Sequence, residues 1–175
     1  KVTYRRERWG TPDNDFLDID FLDQGQGGMG LGTGGSPGAG RRMGGGPGAV
    51  HAEATPVAVL THGLESTSTA PLTSKMALAF QRAGFQVAVV CFRGCSGEDN
   101  KTLGAYHLGF TDDLELVVRT LRERHPGSPI FLSGFSLGGN VICKLLADLG
   151  EEAGKLGVVG AAVTCVPFDA VSCQQ

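Results

Sequence analysis

Four apolar runs, each closed by small and polar residues, constrain this chain more than any other feature. They are Pro56-Val57-Ala58-Val59-Leu60, Phe85 to Phe92, Pro129-Ile130-Phe131-Leu132 and Val158 to Val166. Continuous apolar runs of this length suit strands buried on both faces. Between them lie three segments with helical spacing. The first has Pro71 in its first turn, Leu72, Met76, Phe80 and Ala83 on one face, and Gly84 as its stop. In the second, Leu114, Val117, Val118 and Leu121 form the apolar face, with Thr111 as a candidate cap and Asp112 and Asp113 at the positive end. The third places Leu137, Val141, Leu145 and Leu149 on one side. Strand–helix alternation of this kind implies right-handed crossovers and a mostly parallel sheet with helices on both faces. The expected fold class is α/β.

In such sheets ligands bind at the carboxyl ends of the strands. The loops that should gather there are 61–65, 93–97, 134–137 and 167–169. The third lies within Ser133-Gly134-Phe135-Ser136-Leu137-Gly138-Gly139-Asn140. A G-x-S-x-G pattern between a strand and a helix makes a strained turn that lifts the serine oxygen clear of the sheet, while its glycines let backbone and helix pack closely. Cleaving an ester or amide needs a nucleophile, a base for its proton, and donors for the oxyanion. Ser136 is the candidate nucleophile. The N–H of Leu137, at a helix start, is one oxyanion donor. The N–H of Leu64 is the second, because His62-Gly63 permits a tight bend toward the site. Gly134 and Gly138 join His62 and Gly63 as site-shaping residues, and His62 reads as a structural histidine that orients its loop.

The amino-terminal strand region spans 1–23. It is basic and then polar up to a turn at Thr11-Pro12-Asp13-Asn14-Asp15. Phe16 to Leu22 partly alternates apolar with acidic residues, which predicts a half-exposed strand near a sheet edge. Residues 24–50 collapse into glycine and bury too little to fold, so they read as a disordered insertion. A G-x-G-x-x-G from Gly30 to Gly35 falls inside it, but no helical period follows as a dinucleotide loop requires.

A net charge of −3 argues against a nucleic-acid partner. Five cysteines lack metal-ligand spacing, so no metal is expected. Cys91 and Cys165 lie in apolar runs and read as buried, reduced thiols, which favours a reducing compartment such as the cytoplasm. No apolar run is long enough to span a bilayer, and no signal-peptide pattern opens the chain. It begins on Lys1, which leaves room for an upstream anchor and for attachment to a membrane surface.

Thr61-His62-Gly63-Leu64-Glu65, Phe92-Arg93-Gly94-Cys95-Ser96-Gly97, Tyr106-His107 with Asp112-Asp113-Leu114, and Gly134 to Asn140 occur in this order. Thr11-Pro12-Asp13 before Phe16-Leu17-Asp18, and Pro167-Phe168-Asp169, extend the set. Together they resemble one branch of the α/β-hydrolase superfamily: bacterial YheT-like esterases, plant embryogenesis-associated proteins and animal abhydrolase-domain lipases. The resemblance runs from about residue 11 to 170, and makes 51–175 the amino-terminal part of the α/β-hydrolase core. It implies a serine carboxylesterase or an acylglycerol or phospholipid lipase. Such an enzyme acts on small-molecule or lipid acyl esters without a cofactor, with Ser136 as nucleophile.

In this fold the triad runs serine, acid, histidine along the chain. His51, His62, His107 and His125 all precede Ser136. Asp169, at a strand end, is the candidate acid within the chain, whereas the resembled branch places its acid further downstream. The expectation is therefore an α/β-hydrolase fold incomplete at the carboxyl end, weakly active or inactive as it stands. Two other readings use the same residues. One is an inactive truncated product or pseudoenzyme with a binding role, and the other is an acyltransferase working through Ser136.

Overall fold

The computed structural model describes residues 2–23, 54–169 and 172–174. The glycine-rich stretch 24–50, with its G-x-G-x-x-G, and His51 lie outside the described residues. Six strands form one sheet: β1 (Arg5–Gly10), β2 (Phe16–Leu22), β3 (Val57–Thr61), β4 (Gln86–Cys91), β5 (Ile130–Phe135) and β6 (Val158–Thr164). Their order is β1-β2-β4-β3-β5-β6. The last four are mutually parallel, and β1 and β2 are antiparallel additions.

Helices α1 (Pro71–Arg82), α2 (Asp112–Arg124), α3 (Leu137–Leu149) and the short α4 (Glu152–Lys155) complete the elements, with a 3₁₀ turn at Ser172–Gln174. Alternate residues of β3 and β4 feed two cores. Val57, Val59, Ala88 and Val90 pack with the apolar faces of α2 and α3. Ala58, Leu60, Val87 and Val89 pack with Ala77 of α1. Both faces are covered, which is why these runs show no apolar–polar alternation.

Several readings from sequence need correction. Strand β1 was hidden in the basic segment, because charge masks a strand's apolar period. Its guanidiniums are paired across the ladder: Arg6 with Asp20 at 2.7 and 2.8 Å, and Arg8 with Asp18 at 2.8 Å on both nitrogens. That edge strand changes β2, predicted half-exposed. All seven of its residues are buried, since β1 covers one side and its arginines neutralise its acids. Helix α1 sits about one residue round from the predicted face: Thr73 and Ala77 are buried, and Leu72 is 51% exposed. Thr111 makes no side-chain cap, and Asp113 is buried against Arg93 instead of serving only the helix end.

Strand β6 forms the other edge, and Val159 there is 69% exposed. Cys165, at its end, is exposed, contrary to the buried thiol expected from its apolar run. A run buries its residues only if neighbours cover it, and β6 has a neighbour on one side among the described residues. Cys91 is buried as expected. No helix among the described residues is long and apolar enough to cross a membrane.

Candidate active site

Parallel pairing levels the carboxyl ends of the central strands: Thr61 lies opposite Val90 and Gly134, and Gly134 opposite Val163. The loops leaving those ends therefore start from one edge, as the alternation predicted. Ser136 follows β5 directly and has φ 54° and ψ −128°, a left-handed conformation that a residue with a Cβ rarely adopts. Its own N–H is held by Thr164 O of β6 at 3.0 Å, and its carbonyl accepts Asn140 N–H at 3.1 Å as α3 begins.

Close packing beneath the serine excludes side chains at two positions. A Cβ on Gly138 would lie 2.8 Å from the carbonyl carbon of Thr61 and would overlap His62 O. A Cβ on Gly134 would overlap Thr61 Oγ1 and sit 3.0 Å from Ile142 Cδ1. The turn after β3 therefore lies directly on the turn after β5. Gly63 touches the serine itself, its would-be Cβ position being 3.3 Å from Ser136 Cβ.

His62 is fully buried and has both ring nitrogens engaged. Phe92 N–H donates to Nε2 at 3.2 Å, so Nε2 carries no proton, and Nδ1–H donates to Gly63 O at 2.8 Å. Burial pushes the pKa of the imidazole down, against a smaller opposing effect of the Gly63 bond. It is a neutral structural histidine in geometry, and it holds the Gly63–Leu64 peptide by its carbonyl. In a trans peptide the N–H points opposite the C=O. The N–H of Leu64 is thus turned away from the buried imidazole. Among the described residues it has no acceptor, and the N–H of Leu137, in the first turn of α3, has none within its helix.

The remaining histidines stand elsewhere. His107 Nδ1 bonds Leu108 O at 2.7 Å, and His125 ends α2 at the opposite edge of the sheet. Among the described residues no histidine nitrogen bonds Ser136. Asp169 lies beyond β6 on the strand-end edge, and its carboxylate accepts from Ser172 N at 3.2 Å and Ser172 Oγ at 2.5 Å. No group of three or more metal-ligating side chains occurs among the described residues. Beside Asn140 a groove of about 430 Å³ is lined by Leu108, Cys143, Lys144, Pro167 and Phe168.

Arg93 and Tyr106 both lie in the motifs that carry the resemblance, and the structure gives each specific partners. Arg93 is buried between Asp113, at 2.8 and 2.7 Å, and Asp13, at 2.5 Å. Asp113 foremost, then Asp13, raise its pKa against the effect of burial. Asp15 collects Asn100, Lys101 and Thr102, so the turn of residues 11–15 pins the loop after β4. Tyr106 lays its ring on Phe92, with centroids 5.0 Å apart, and accepts Glu65 N–H at 2.7 Å.

A mostly parallel sheet with helices on both faces, and a strained serine between its strand β5 and helix α3, defines the class: this is an α/β hydrolase by fold. Among solved structures, the esterase Pf2001 of Pyrococcus furiosus superposes with a TM-score of 0.66 at 18% identity, over 95% of this chain and 52% of that one. The chain belongs to the hydrolase family described as serine aminopeptidase, S33, whose model matches residues 52–169. YheT of Escherichia coli is 36% identical over 173 residues, 99% of this chain and 43% of YheT. A medium-chain fatty acid ethyl ester synthase/esterase of Saccharomyces cerevisiae is 31% identical over 115 residues, 65% of this chain and 25% of its own. The chain thus spans less than half the length of these curated relatives. The resemblance read from the motifs holds for family and fold.

Proposed function

We propose that the protein is a serine hydrolase of carboxylic esters, with small-molecule or lipid acyl esters as substrates and no cofactor. Ser136 Oγ attacks the acyl carbon, its proton passes to a general base, and the carbonyl oxygen becomes an oxyanion. That oxyanion is held by the N–H groups of Leu64 and Leu137. The alkoxide leaves as the alcohol after taking the proton, and water then releases the acid from the acyl-serine. His62 acts here as the anchor of the Leu64 peptide and transfers no proton. Asp169 is the candidate acid within the chain, and the resembled branch has its acid further downstream.

One observation carries the proposal: the positive φ of Ser136, with Gly63 packed against its Cβ. A serine is kept in such a conformation at a cost on the order of 1–3 kcal/mol, a strain that clusters at functional sites. Conversion of Ser136 to alanine in the full-length protein is expected to lower p-nitrophenyl butyrate hydrolysis by about 10³-fold or more, and a fluorophosphonate probe should label Ser136. Equal hydrolysis by the alanine variant would remove the reading.

A second reading, acyl transfer to an alcohol, draws support from the yeast relative named as both synthase and esterase. The acyl-serine is common to both, and only the acceptor differs. Ethyl ester formed in the presence of ethanol, measured against free acid, separates them. A chain that binds esters without turnover would instead satisfy the non-catalytic reading. The family's description as aminopeptidase is tested by an aminoacyl p-nitroanilide in the same assay.

A further inference from the structure

For two oxyanion donors on separate loops to act together, their separation must be fixed. The N–H of Leu137 is fixed by α3. Leu64 lies on a loop, and the two peptide planes that flank it are held by different residues. The Gly63–Leu64 plane is held by His62 at Gly63 O, 2.8 Å. The Leu64–Glu65 plane is held by Tyr106, whose Oη accepts Glu65 N–H at 2.7 Å. Glu65 itself has φ 51°, a conformation that a loop would leave if released.

Tyr106 is well anchored for this task. Its ring is stacked 6° from parallel on buried Phe92, which meets the edge of His62 at 4.9 Å. At the other end of the same segment, Gly109 N–H donates to Asn140 Oδ1 at 3.2 Å. Asn140 lies one turn beyond Ser136 in α3, and its Nδ2 donates to Pro167 O at 3.2 Å. Residues 106–109 therefore span from the Leu64 loop to the helix that carries Leu137.

We propose that this segment is a brace that sets the spacing of the two oxyanion donors, with Tyr106 as a positioning residue for the N–H of Leu64. The inference rests on the assignment of Leu64 and Leu137 as those donors. With both flanking planes held, the backbone dihedrals of Leu64 have little freedom, so its N–H is already aimed when charge develops. Reorganisation in the transition state is then small, which is where an oxyanion hole draws its effect.

Replacement of Tyr106 by phenylalanine keeps the ring on Phe92 and removes the hydroxyl, and with it the acceptor for Glu65 N–H and a side-chain hydrogen bond to Cys95. In the full-length protein, Tyr106→Phe is expected to speed amide hydrogen exchange at Glu65 about tenfold. It should also lower kcat for p-nitrophenyl butyrate about tenfold, leave KM within about twofold and leave the melting temperature nearly unchanged. Faster exchange with unchanged kcat would overturn the positioning role, as would unchanged exchange. A fall in kcat matched by a large fall in melting temperature would also overturn it, by reducing Tyr106 to a general structural role. Ser136→Ala, assayed alongside, separates the two levels. If Ser136→Ala loses activity while Tyr106→Phe keeps full kcat, the brace alone fails. If wild type shows no Ser136-dependent turnover, the ester-hydrolase reading fails and the brace with it.

Discussion

His62 donates Nδ1–H to the carbonyl oxygen of Gly63 at 2.8 Å from a fully buried position at the end of β3. The bond joins adjacent residues, yet it depends on Phe92, whose N–H occupies Nε2 and so places the proton on Nδ1. A protonated imidazole would lose the Phe92 bond and carry an unpaired charge into the core.

Burial lowers the His62 pKa below its ordinary 6.5. Below that value the unfolded chain binds the proton more readily than the folded one, so acid favours unfolding. The contribution of His62 is complete above pH 6.5 and is lost progressively as pH falls below it. Urea denaturation midpoints are expected to drop from pH 7.5 to 5.5, with a shallower slope in His62→Gln. Equal slopes would assign the pH dependence to other groups.

Arg93 joins the turn at residues 11–15 to the start of α2. Truncation to alanine leaves the buried carboxylate of Asp113 without its guanidinium, and breaking a buried pair on one side costs about 3–5 kcal/mol. Equilibrium urea unfolding of Arg93→Ala should show a loss of that size. A loss under about 1 kcal/mol would mean that water or neighbouring donors replace the guanidinium.

Strain at Ser136 predicts a trade between stability and activity. Ser136→Gly frees the left-handed backbone and is expected to raise unfolding stability by about 1 kcal/mol while removing the proposed nucleophile. Calorimetry checks the first half and ester hydrolysis the second. A destabilised glycine variant would show that the conformation carries no strain.

Thiol reactivity should follow the sheet edge. Cys165 and Cys173 are exposed, while Cys91 is buried, and burial first, then Asp20, pushes its thiol up to about 12. In native protein a disulfide reagent such as dithionitrobenzoate should modify Cys165 and Cys173 quickly and Cys91 only on unfolding, with mass spectrometry identifying the sites. Rapid native reaction at Cys91 would contradict the buried position of β4.

Much of the fold was legible because periodicity is a local signal. The apolar runs at β3, β4, β5 and β6 and the 3.6-residue spacing in α2 and α3 appear at their expected places. The serine loop was legible for a related reason: glycines on both sides mark a turn whose packing admits no Cβ at Gly134 or Gly138. Strand β1 was not legible because Arg5, Arg6, Glu7 and Arg8 fill it with charge and leave no apolar period. Arg6 and Arg8 make sense only opposite Asp20 and Asp18, which lie on the neighbouring strand. The task of Tyr106 was equally hidden, since its partners are Glu65, 41 positions away, and the ring of Phe92.

By itself the sequence determined the α/β class, the alternation of β3, α1, β4, α2, β5, α3 and β6, the edge where loops gather, and the glycine-flanked Ser136. These follow from patterns within a few residues of one another. Tertiary structure alone decided which strands lie outermost, and so why β2 is buried and Cys165 is not. It also decided that His62 faces inward as a neutral donor and that Arg93 sits between two carboxylates. Burial and charge pairing depend on which distant segments share a surface, and folding in three dimensions sets that.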